Sequence, residues 1–197
     1  MHRPPLPQAP RAATSPAMSA EPIEKTDLLP LVLAPDPRLK TKTRAVTEAD
    51  RELVRGLAAR MLATMYAAPG IGLAAPQVGS DLRLTVIDLQ PEDRKEPVVL
   101  INPRIEAVSE ELSTREEGCL SLPGHYADVT RPARVTVSYE DLEGSRTTIE
   151  ADGLLATCLQ HEIDHLDGVL FVDHLSALKR NIILRKMVKE KRLRKQG

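Results

Sequence analysis

Apolar side chains recur at helical spacing in three stretches of the chain. Thr47 is placed to cap the first helix, with Asp50 returning the bond, and that helix is predicted to end at about Tyr66. Its predicted buried stripe consists of Leu53, Leu57, Met61, Leu62 and Met65. A second helix of roughly four turns is predicted from about Gly153, and a third over residues 176–195.

Short apolar runs of β type fill the region between the first and second helices. They predict strands over residues 84–89, 98–101, 105–112, 135–139 and 147–151. Glu143-Gly144 is a turn signal that joins the last two as a hairpin. Because the strands cluster instead of alternating with helices, the pattern predicts an α+β fold and not a doubly wound sheet.

Composition narrows the class of protein. A chain of 197 residues that is 42% hydrophobic and 28% charged suits one globular domain. Only 2% of the residues are aromatic, which argues against modules that stack nucleic-acid bases on aromatic side chains. Two cysteines cannot form the disulfide framework of a secreted domain, so we expect a reducing, cytoplasmic location. No apolar run is long enough to span a bilayer, and no membrane or DNA partner is expected.

The two ends of the chain differ from its middle. Residues 1–27 are rich in Pro and Ala and predict a disordered tail, or an upstream start with Met18 as the real initiator; an organelle transit peptide is the less favoured alternative. Residues 179–197 hold nine Lys and Arg against one acid, a net charge of +8 on a body of net −9. This basic helix predicts either a polyanionic partner or a solvated face that packs through Leu178, Ile182 and Met187.

The sharpest chemical signal is His161-Glu162-Ile163-Asp164-His165. Residues four apart lie on one face of a helix, so both imidazoles can reach one metal ion. Glu162 points about 100° away from His161, which places it beside the ion as a candidate general base for a bound water. The preceding residues Leu154, Leu155, Cys158 and Leu159 are apolar and predict that this helix is buried.

Several residues compete to be the third ligand. In the HExxHxxGxxH protease pattern that position is Phe171, and His174 comes three residues too late. Glu190 is the one glutamate further downstream, but it lies within the basic helix. Cys119, in an extended segment after Gly118, would complete a tetrahedral site with a position left for water. Cys158 lies one turn before His161 and is better placed to line a pocket.

A third segment, residues 70–79, is rich in glycine and alanine. It contains GxGxxA, but a dinucleotide fingerprint must follow a strand and open a helix, whereas this one follows a helix and contains Pro76. The remaining interpretations are a packed loop, or a loop whose backbone runs close to a bound peptide with Gln77 offering an amide donor.

Together the segments GIGLAAPQ, EGCLS and QHEIDH resemble the three motifs of the peptide deformylase family, in the same order, and the resemblance extends over residues 31–175. It implies antiparallel sheets wrapped around a central HExxH helix, followed by a C-terminal helix. The corresponding organisation is a metallohydrolase domain over residues 28–175 and a basic helix over 176–197. The stretch Gly124-His125-Tyr126 lacks a basic residue that some members carry, which leaves contacts beyond the first substrate residue open.

The resemblance also implies roles for individual residues. Cys119, His161 and His165 would bind one divalent metal, iron(II) in bacterial members, with zinc, nickel or cobalt as alternatives. Glu162 would act as general acid/base while a metal-activated water attacks the formyl group of an N-formyl-methionyl nascent peptide and releases formate. The remaining roles fall to residues that bind the formyl oxygen (Gln77 and the Leu120 N–H), the substrate main chain (Gly72) and the methionine side chain (Ile71, Glu117, Leu154, Cys158). The C-terminal helix would meet the ribosome, and the protein is expected to be a monomer.

Overall fold

The structure, a computed structural model, describes residues 28–194 of the chain. The predicted tail over residues 1–27 lies outside the described residues. The described residues form three α-helices, α1 (Arg51–Ala67), α2 (Gly153–Leu166) and α3 (Ala177–Arg194). The seven strands of the described part are β1 (Gly72–Ala74), β2 (Leu84–Ile87), β3 (Val98–Val108), β4 (Leu112–Gly118), β5 (Tyr126–Pro132), β6 (Arg134–Glu140) and β7 (Arg146–Asp152).

The strands form two antiparallel sheets, which confirms the α+β prediction. Five strands pair in the order β1-β2-β3-β6-β7, and β4 pairs with β5 in a separate two-stranded sheet. The larger sheet lies between α1 and α2, since alternate residues of β2 face opposite sides. Leu84 and Val86 pack with α1, whereas Ile87 packs with α2. The sheets therefore surround the HExxH helix as expected.

The predicted bond at the start of this region is present, since Asp50 accepts the Thr47 backbone N–H at 2.9 Å. Thr47 nevertheless caps a 3₁₀ turn (Glu48–Asp50) that leads into α1, and the N-cap of α1 itself is Asp50. The predicted buried stripe holds for Met61, Leu62 and Met65, but it is wrong for Leu53, which is 60% exposed. The helix instead buries Val54, which is shifted by one position around the axis.

Two predicted strands are in fact one. The run at 98–101 and the first part of the run at 105–112 both belong to β3, which ends at Val108, whereas Leu112 begins β4. The polar residue Asn102 lies between the two apolar runs. It has a φ of 52° and lies where the register of β3 shifts against β6. Its side-chain amide bonds the backbone of Val46 in both directions, at 2.8 and 2.9 Å, which holds the bulge in place. The predicted hairpin of β6 and β7 around Glu143-Gly144 is confirmed.

Helix α3 packs next to the small sheet on an apolar cluster of buried side chains, which consists of Val32, Ala34, Leu39, Leu122, Val129, Leu170, Phe171 and Val172. The predicted stripe is wrong for Leu178 and Ile182, which are exposed, and correct for Met187, which is buried. Ile183 and Leu184 make the contact with the cluster instead. No helix within residues 28–194 is both long and apolar enough to cross a membrane.

Candidate metal centre

Helix α2 carries both histidines of the HExxH motif into the interior. The four-residue spacing places His161 and His165 on one face, with their ring centroids 4.9 Å apart. The chain leaves the helix through Gly168, which has a φ of 76°. A side chain there would place its Cβ 2.6 Å from the Lys40 carbonyl oxygen, so glycine is required for this exit.

Cys119 completes the group from a different part of the chain. It directly follows β4, and its Sγ lies 3.2 Å from His165 Nε2. One ligand atom from each of Cys119, His161 and His165 can be chosen so that all three lie within 4.8 Å of one another. Donors bound tetrahedrally at about 2.0–2.3 Å from one ion lie roughly 3.5 Å apart, so these residues fit a single metal. One thiolate and two imidazoles suit zinc or iron(II).

His161 is oriented by a buried pair of charges. Its Nδ1 lies 2.8 Å from Glu117 Oε2, which leaves Nε2 as the ligand atom. Arg131 binds both oxygens of Glu117, through Nε at 2.6 Å and Nη2 at 3.0 Å, and its Nη1 binds Asp164 at 2.8 Å. Burial alone would raise the pKa of Glu117, but the hydrogen bonds from His161 and Arg131 outweigh it and lower the pKa to about 2. Glu117 is therefore a fixed anion behind the ligand.

The two histidines have different surroundings. Burial alone would lower the pKa of His161, but its contacts with Cys119 and Glu117 outweigh burial and raise that pKa well above its ordinary value. For His165, burial and nearby positive charges lower the pKa, so the ring is neutral and ready to bind a metal. Its Nδ1 is buried without a hydrogen-bond partner among the described residues. Only His161 therefore has an anion behind it.

Glu162 is buried beside the ligand group. Burial raises the pKa of its carboxyl group to about 7, so it can both accept and donate a proton near neutral pH. The Thr85 hydroxyl lies 3.5 Å from Glu162 Oε2 and 3.0 Å from the Leu73 carbonyl oxygen. A Cβ at Gly72 would lie 2.4 Å from Glu162 Oε1, so a glycine at that position makes room for the carboxylate.

Gln77 lies against the ligand sulfur. Its side-chain oxygen accepts the Ala74 N–H at 2.8 Å, which points Nε2 toward Cys119 Sγ at 3.4 Å and Ser121 Oγ at 3.3 Å. Leu120 directly follows Cys119, so its backbone N–H belongs to the same turn. The glycine loop forms β1 and a 3₁₀ turn (Ala75–Val78) and does not open an α-helix, which agrees with the rejection of a dinucleotide fingerprint.

The predicted methionine pocket combines exposed and buried residues. Ile71 is 37% exposed, and Cys158 is buried with its Sγ 3.8 Å from the Ile71 carbonyl oxygen. The prediction that Leu154 is buried is wrong, since it is 47% exposed, whereas the next residue, Leu155, packs on the apolar cluster that includes Ala156. Burial raises the pKa of the Cys158 thiol well above its ordinary value, so it stays protonated. Cys158 is not part of the ligand group within the described residues.

The competing third ligands have other partners. Phe171 is buried and stacks on His161, with ring centroids 6.3 Å apart. His174 Nε2 lies 2.7 Å from the Asp164 carboxylate, and Glu190 faces His125 at 3.7 Å from α3. Neither protease pattern therefore finds its ligand among the described residues.

Two residues of the site were not singled out in the sequence. Arg131 lies in β5, which has no alternating apolar pattern, so it could not be distinguished from a surface arginine. Thr85 had a usable signal, because it is the one hydroxyl side chain in the buried run of β2. A buried hydroxyl needs a partner, and here the partners are Leu73 and Glu162.

Comparison with known proteins agrees with this geometry. The family model described as polypeptide deformylase matches residues 28–181. The peptide deformylase of Agrobacterium fabrum is 56% identical over 164 residues, which cover 83% of this chain and 96% of the relative. That of Zymomonas mobilis is 50% identical over 175 residues, covering 86% and 98%.

Solved structures give the same result. A peptide deformylase from Legionella pneumophila superposes with a TM-score of 0.79 at 46% identity, covering 86% of this chain and 99% of the other. A peptide deformylase from Synechococcus elongatus, solved in complex with actinonin, has a TM-score of 0.75 at 48% identity, covering 86% and 89%. Sequence motifs, fold and site geometry thus agree, and this chain belongs to the peptide deformylase family.

Proposed function

We propose that this deformylase removes the formyl group from the N-terminal methionine of new polypeptides, using one metal ion held by Cys119, His161 and His165. The observation that carries the proposal is the meeting of these three ligands beside a buried carboxyl group, Glu162, whose pKa is about 7. The proposed hydrolase domain covers residues 28–175, and the described ligands all come from it.

The difficulty of the reaction is that water is a poor nucleophile toward an amide. When bound, a divalent cation lowers the pKa of water from about 15.7 to about 7 and polarises a carbonyl group. Glu162 accepts the proton that the attacking water loses and delivers it to the leaving nitrogen of methionine. In the metal-free chain its pKa is raised to about 7, so neither form is strongly favoured there at neutral pH.

Donors near Cys119 stabilise the charge that develops on the formyl oxygen. Gln77 Nε2 and the Leu120 N–H act together, and the loss of one such donor typically costs about 3–4 kcal/mol in the transition state. The Gly72 backbone bonds the substrate main chain. Exclusion of larger acyl groups follows if only a hydrogen atom fits beside the carbonyl carbon.

The methionine side chain occupies the cleft between β1 and the first half of α2. Ile71 and Leu154 supply apolar surface that is still open to solvent, and Cys158 closes the inner side. Glu117 is the fourth residue that we assign to this pocket, and Arg131 pairs with its carboxylate. A flexible thioether suits such a mixed apolar wall.

Iron(II) is the metal we propose, with zinc, nickel and cobalt as ions that the same donor set accepts. Protein purified without oxygen should contain iron and release formate from formyl-Met-Ala-Ser. A zinc-loaded sample should retain the fold and release formate more slowly. Full activity after removal of all metal by a chelator would overturn the metal-dependent mechanism.

A metalloprotease is the rival function, because it shares the HExxH motif. The discriminating substrate is an unformylated peptide of eight or so residues, offered beside the formylated tripeptide. We expect hydrolysis of the formylated tripeptide alone. Cleavage of an internal peptide bond in the longer substrate would favour the protease.

Helix α3 is the proposed ribosome contact of a monomeric, cytoplasmic enzyme. Arg185, Lys189 and Arg192 are exposed and lie together with Leu184 and Val188 along one side of the helix. Such a row of cations favours an RNA surface, and binding through phosphates weakens steeply with salt.

Charge reversal tests this contact without removing the apolar packing of α3. Changing Arg185, Lys189 and Arg192 to Glu should abolish salt-sensitive sedimentation with ribosomes. Arg104→Glu, on the exposed half of β3, is the matched control and should leave it intact. Equal ribosome association of both variants would remove the proposed role of α3.

A further inference from the structure

Asp88 is a buried carboxylate that the proposed reaction does not use. It directly follows β2 and is 1% exposed. Its carboxylate accepts the Tyr66 hydroxyl at 2.5 Å, the Gln90 N–H at 2.8 Å and the Glu96 N–H at 3.1 Å. These contacts join both ends of the β2–β3 loop, residues 89–97, to the last turn of α1.

The β2–β3 loop has a backbone that needs such support. Three residues of the loop have positive φ values: Gln90 (49°), Glu92 (52°) and Asp93 (59°). These angles lie in the left-handed region that residues other than glycine rarely adopt. Conformations of this kind persist where surrounding contacts hold them. The Asp88 carboxylate supplies contacts at the first residue of this strained segment, Gln90, and after its end, at Glu96.

Tyr66 fixes the loop to α1 in two ways. Burial raises the pKa of Tyr66, and the neighbouring Asp88 adds to the effect, so the phenol keeps the proton that it donates. The Lys95 ammonium group lies 4.2 Å from the centre of the Tyr66 ring. One aromatic side chain thus contacts the loop through both its hydroxyl and its face.

The backbone of Asp88 connects this arrangement to the substrate cleft. Its N–H donates to the Ile71 carbonyl at 2.9 Å, one step beyond the paired residues Gly72 and Ile87. The Cys158 thiol contacts the same carbonyl. Leu89, the first residue of the loop, packs on the apolar cluster that includes Cys158. The position of Asp88 therefore determines where Ile71 is held.

We propose that Asp88 is a positioning residue for the methionine side of the cleft. Its carboxylate holds the loop and Tyr66, so that its own N–H keeps Ile71 and the adjoining Gly72 in place to contact substrate. The inference rests on the proposed function, since it assigns substrate contact to these two residues. It concerns binding and selectivity, because Asp88 has no contact with the metal ligands among its hydrogen bonds in the described chain.

The test is Asp88→Asn, which keeps the shape and replaces one acceptor oxygen by a donor. We expect KM for formyl-Met-Ala-Ser to rise about tenfold with little change in kcat, the signature of lost uniform binding. The preference for this peptide over formyl-Ala-Ala-Ser should shrink about fivefold, because a displaced Ile71 fits the methionine side chain less well. Metal content should equal that of the unmodified protein.

Asp141→Asn is the matched control. Asp141 also closes a turn through its carboxylate, by accepting the Ser145 N–H at 2.8 Å between β6 and β7. It should change neither KM nor the methionine preference. Identical behaviour of the two variants, a fall in kcat alone, or loss of metal from Asp88→Asn would overturn the proposal.

A milder variant covers the case in which Asp88→Asn does not fold. Tyr66→Phe removes one hydrogen bond and should raise KM about two- to threefold in the same direction. An unchanged KM and preference in Tyr66→Phe would then count against the proposal. The affinity for the product Met-Ala-Ser, measured by calorimetry, should fall in both variants. This measurement does not depend on activity. If the unmodified protein released no formate, that result would contradict the proposed function and not the role of Asp88.

Discussion

Helices α2 and α3 differ in whether their polar side chains are buried or exposed. In α2, His161, Glu162 and His165 are buried among internal partners supplied by β2, β4 and the turn after β4. In α3, only the apolar side chains on one face are covered, and the cations line an exposed side. A buried polar group must be satisfied by the protein itself, whereas an exposed one is solvated. Substitutions of these buried residues of α2 should therefore change chemistry, and those of the exposed cations of α3 should change only contacts with other molecules.

The largest effect is expected for Glu162→Ala in α2. Loss of the proposed acid/base group should lower kcat by about 10²–10⁴-fold, because neither water nor the three proposed ligands can carry the proton between the two proposed steps. Metal content, measured by mass spectrometry, should be unchanged. Glu190→Ala in α3 is the control and should retain full formate release.

A Glu162→Ala protein with kcat within threefold of the unmodified chain would contradict the role of the carboxyl group. The pKa of about 7 adds a further expectation for the metal-free protein. The carboxylate form prevails above that pKa, so the metal-free side chain takes up a proton as pH falls through neutrality.

The next largest effect is on metal affinity, and it should differ between Cys119 and Cys158. Cys119→Ala should lower metal affinity more than 100-fold, because it removes the charged ligand of the three. Cys158→Ala should retain the metal, since burial keeps that thiol protonated and it contacts the Ile71 carbonyl instead. Competition with a chromogenic chelator measures both affinities. A reversed order would show that the ligand is Cys158.

A smaller effect on metal affinity is expected for Glu117, which contacts the proposed ligand His161. Glu117→Gln should lower metal affinity by about 10–100-fold, because an amide supports His161 less well than a carboxylate does. The same change leaves Arg131 partly unpaired in the interior, so the free energy of unfolding should fall by about 3 kcal/mol.

The control for Glu117 is an exposed pair that joins the residue before β4 to the first residue of β6. Glu111 and Arg134 lie 2.9 Å apart with both side chains more than half exposed. Glu111→Gln should therefore cost less than about 1 kcal/mol in urea unfolding and leave metal affinity unchanged. Equal losses in the two variants would mean that the buried position of Glu117 has no special effect on the metal.

The contrast between the helices also explains what the sequence could predict. The helices were visible because apolar residues repeat with their period, and the three motifs were visible because each is local. Strands β4 and β5 were missed because both are largely exposed and carry charges, including Arg115 and Asp128, where an apolar alternation would be needed. Arg131 was missed for the same reason. Its importance depends on Glu117, across the strand pair, and on Asp164, in a helix far along the chain.

The same limit applies to the exposed leucines. Periodicity places Leu53 and Leu178 on apolar stripes, yet both are exposed, since the side of a helix that is covered depends on distant elements. Leu154 is exposed as well, but beside the proposed pocket. Only the fold distinguishes an apolar side chain that could line a pocket from one that is simply on the surface.

The smallest effect is expected for α3. Reversal of Arg185, Lys189 and Arg192 to Glu should leave kcat/KM for a free formylated tripeptide within about twofold, because exposed substitutions typically change stability by less than about 0.5 kcal/mol. The thermal midpoint should move correspondingly little, since Ile183 and Leu184 still pack on the body. A large loss of activity on a free peptide would mean that α3 supports the metal centre through the cluster that also contacts Cys119. The proposal that α2 supports the chemistry and α3 only contacts other molecules would then be wrong, and α3 would belong to the catalytic domain.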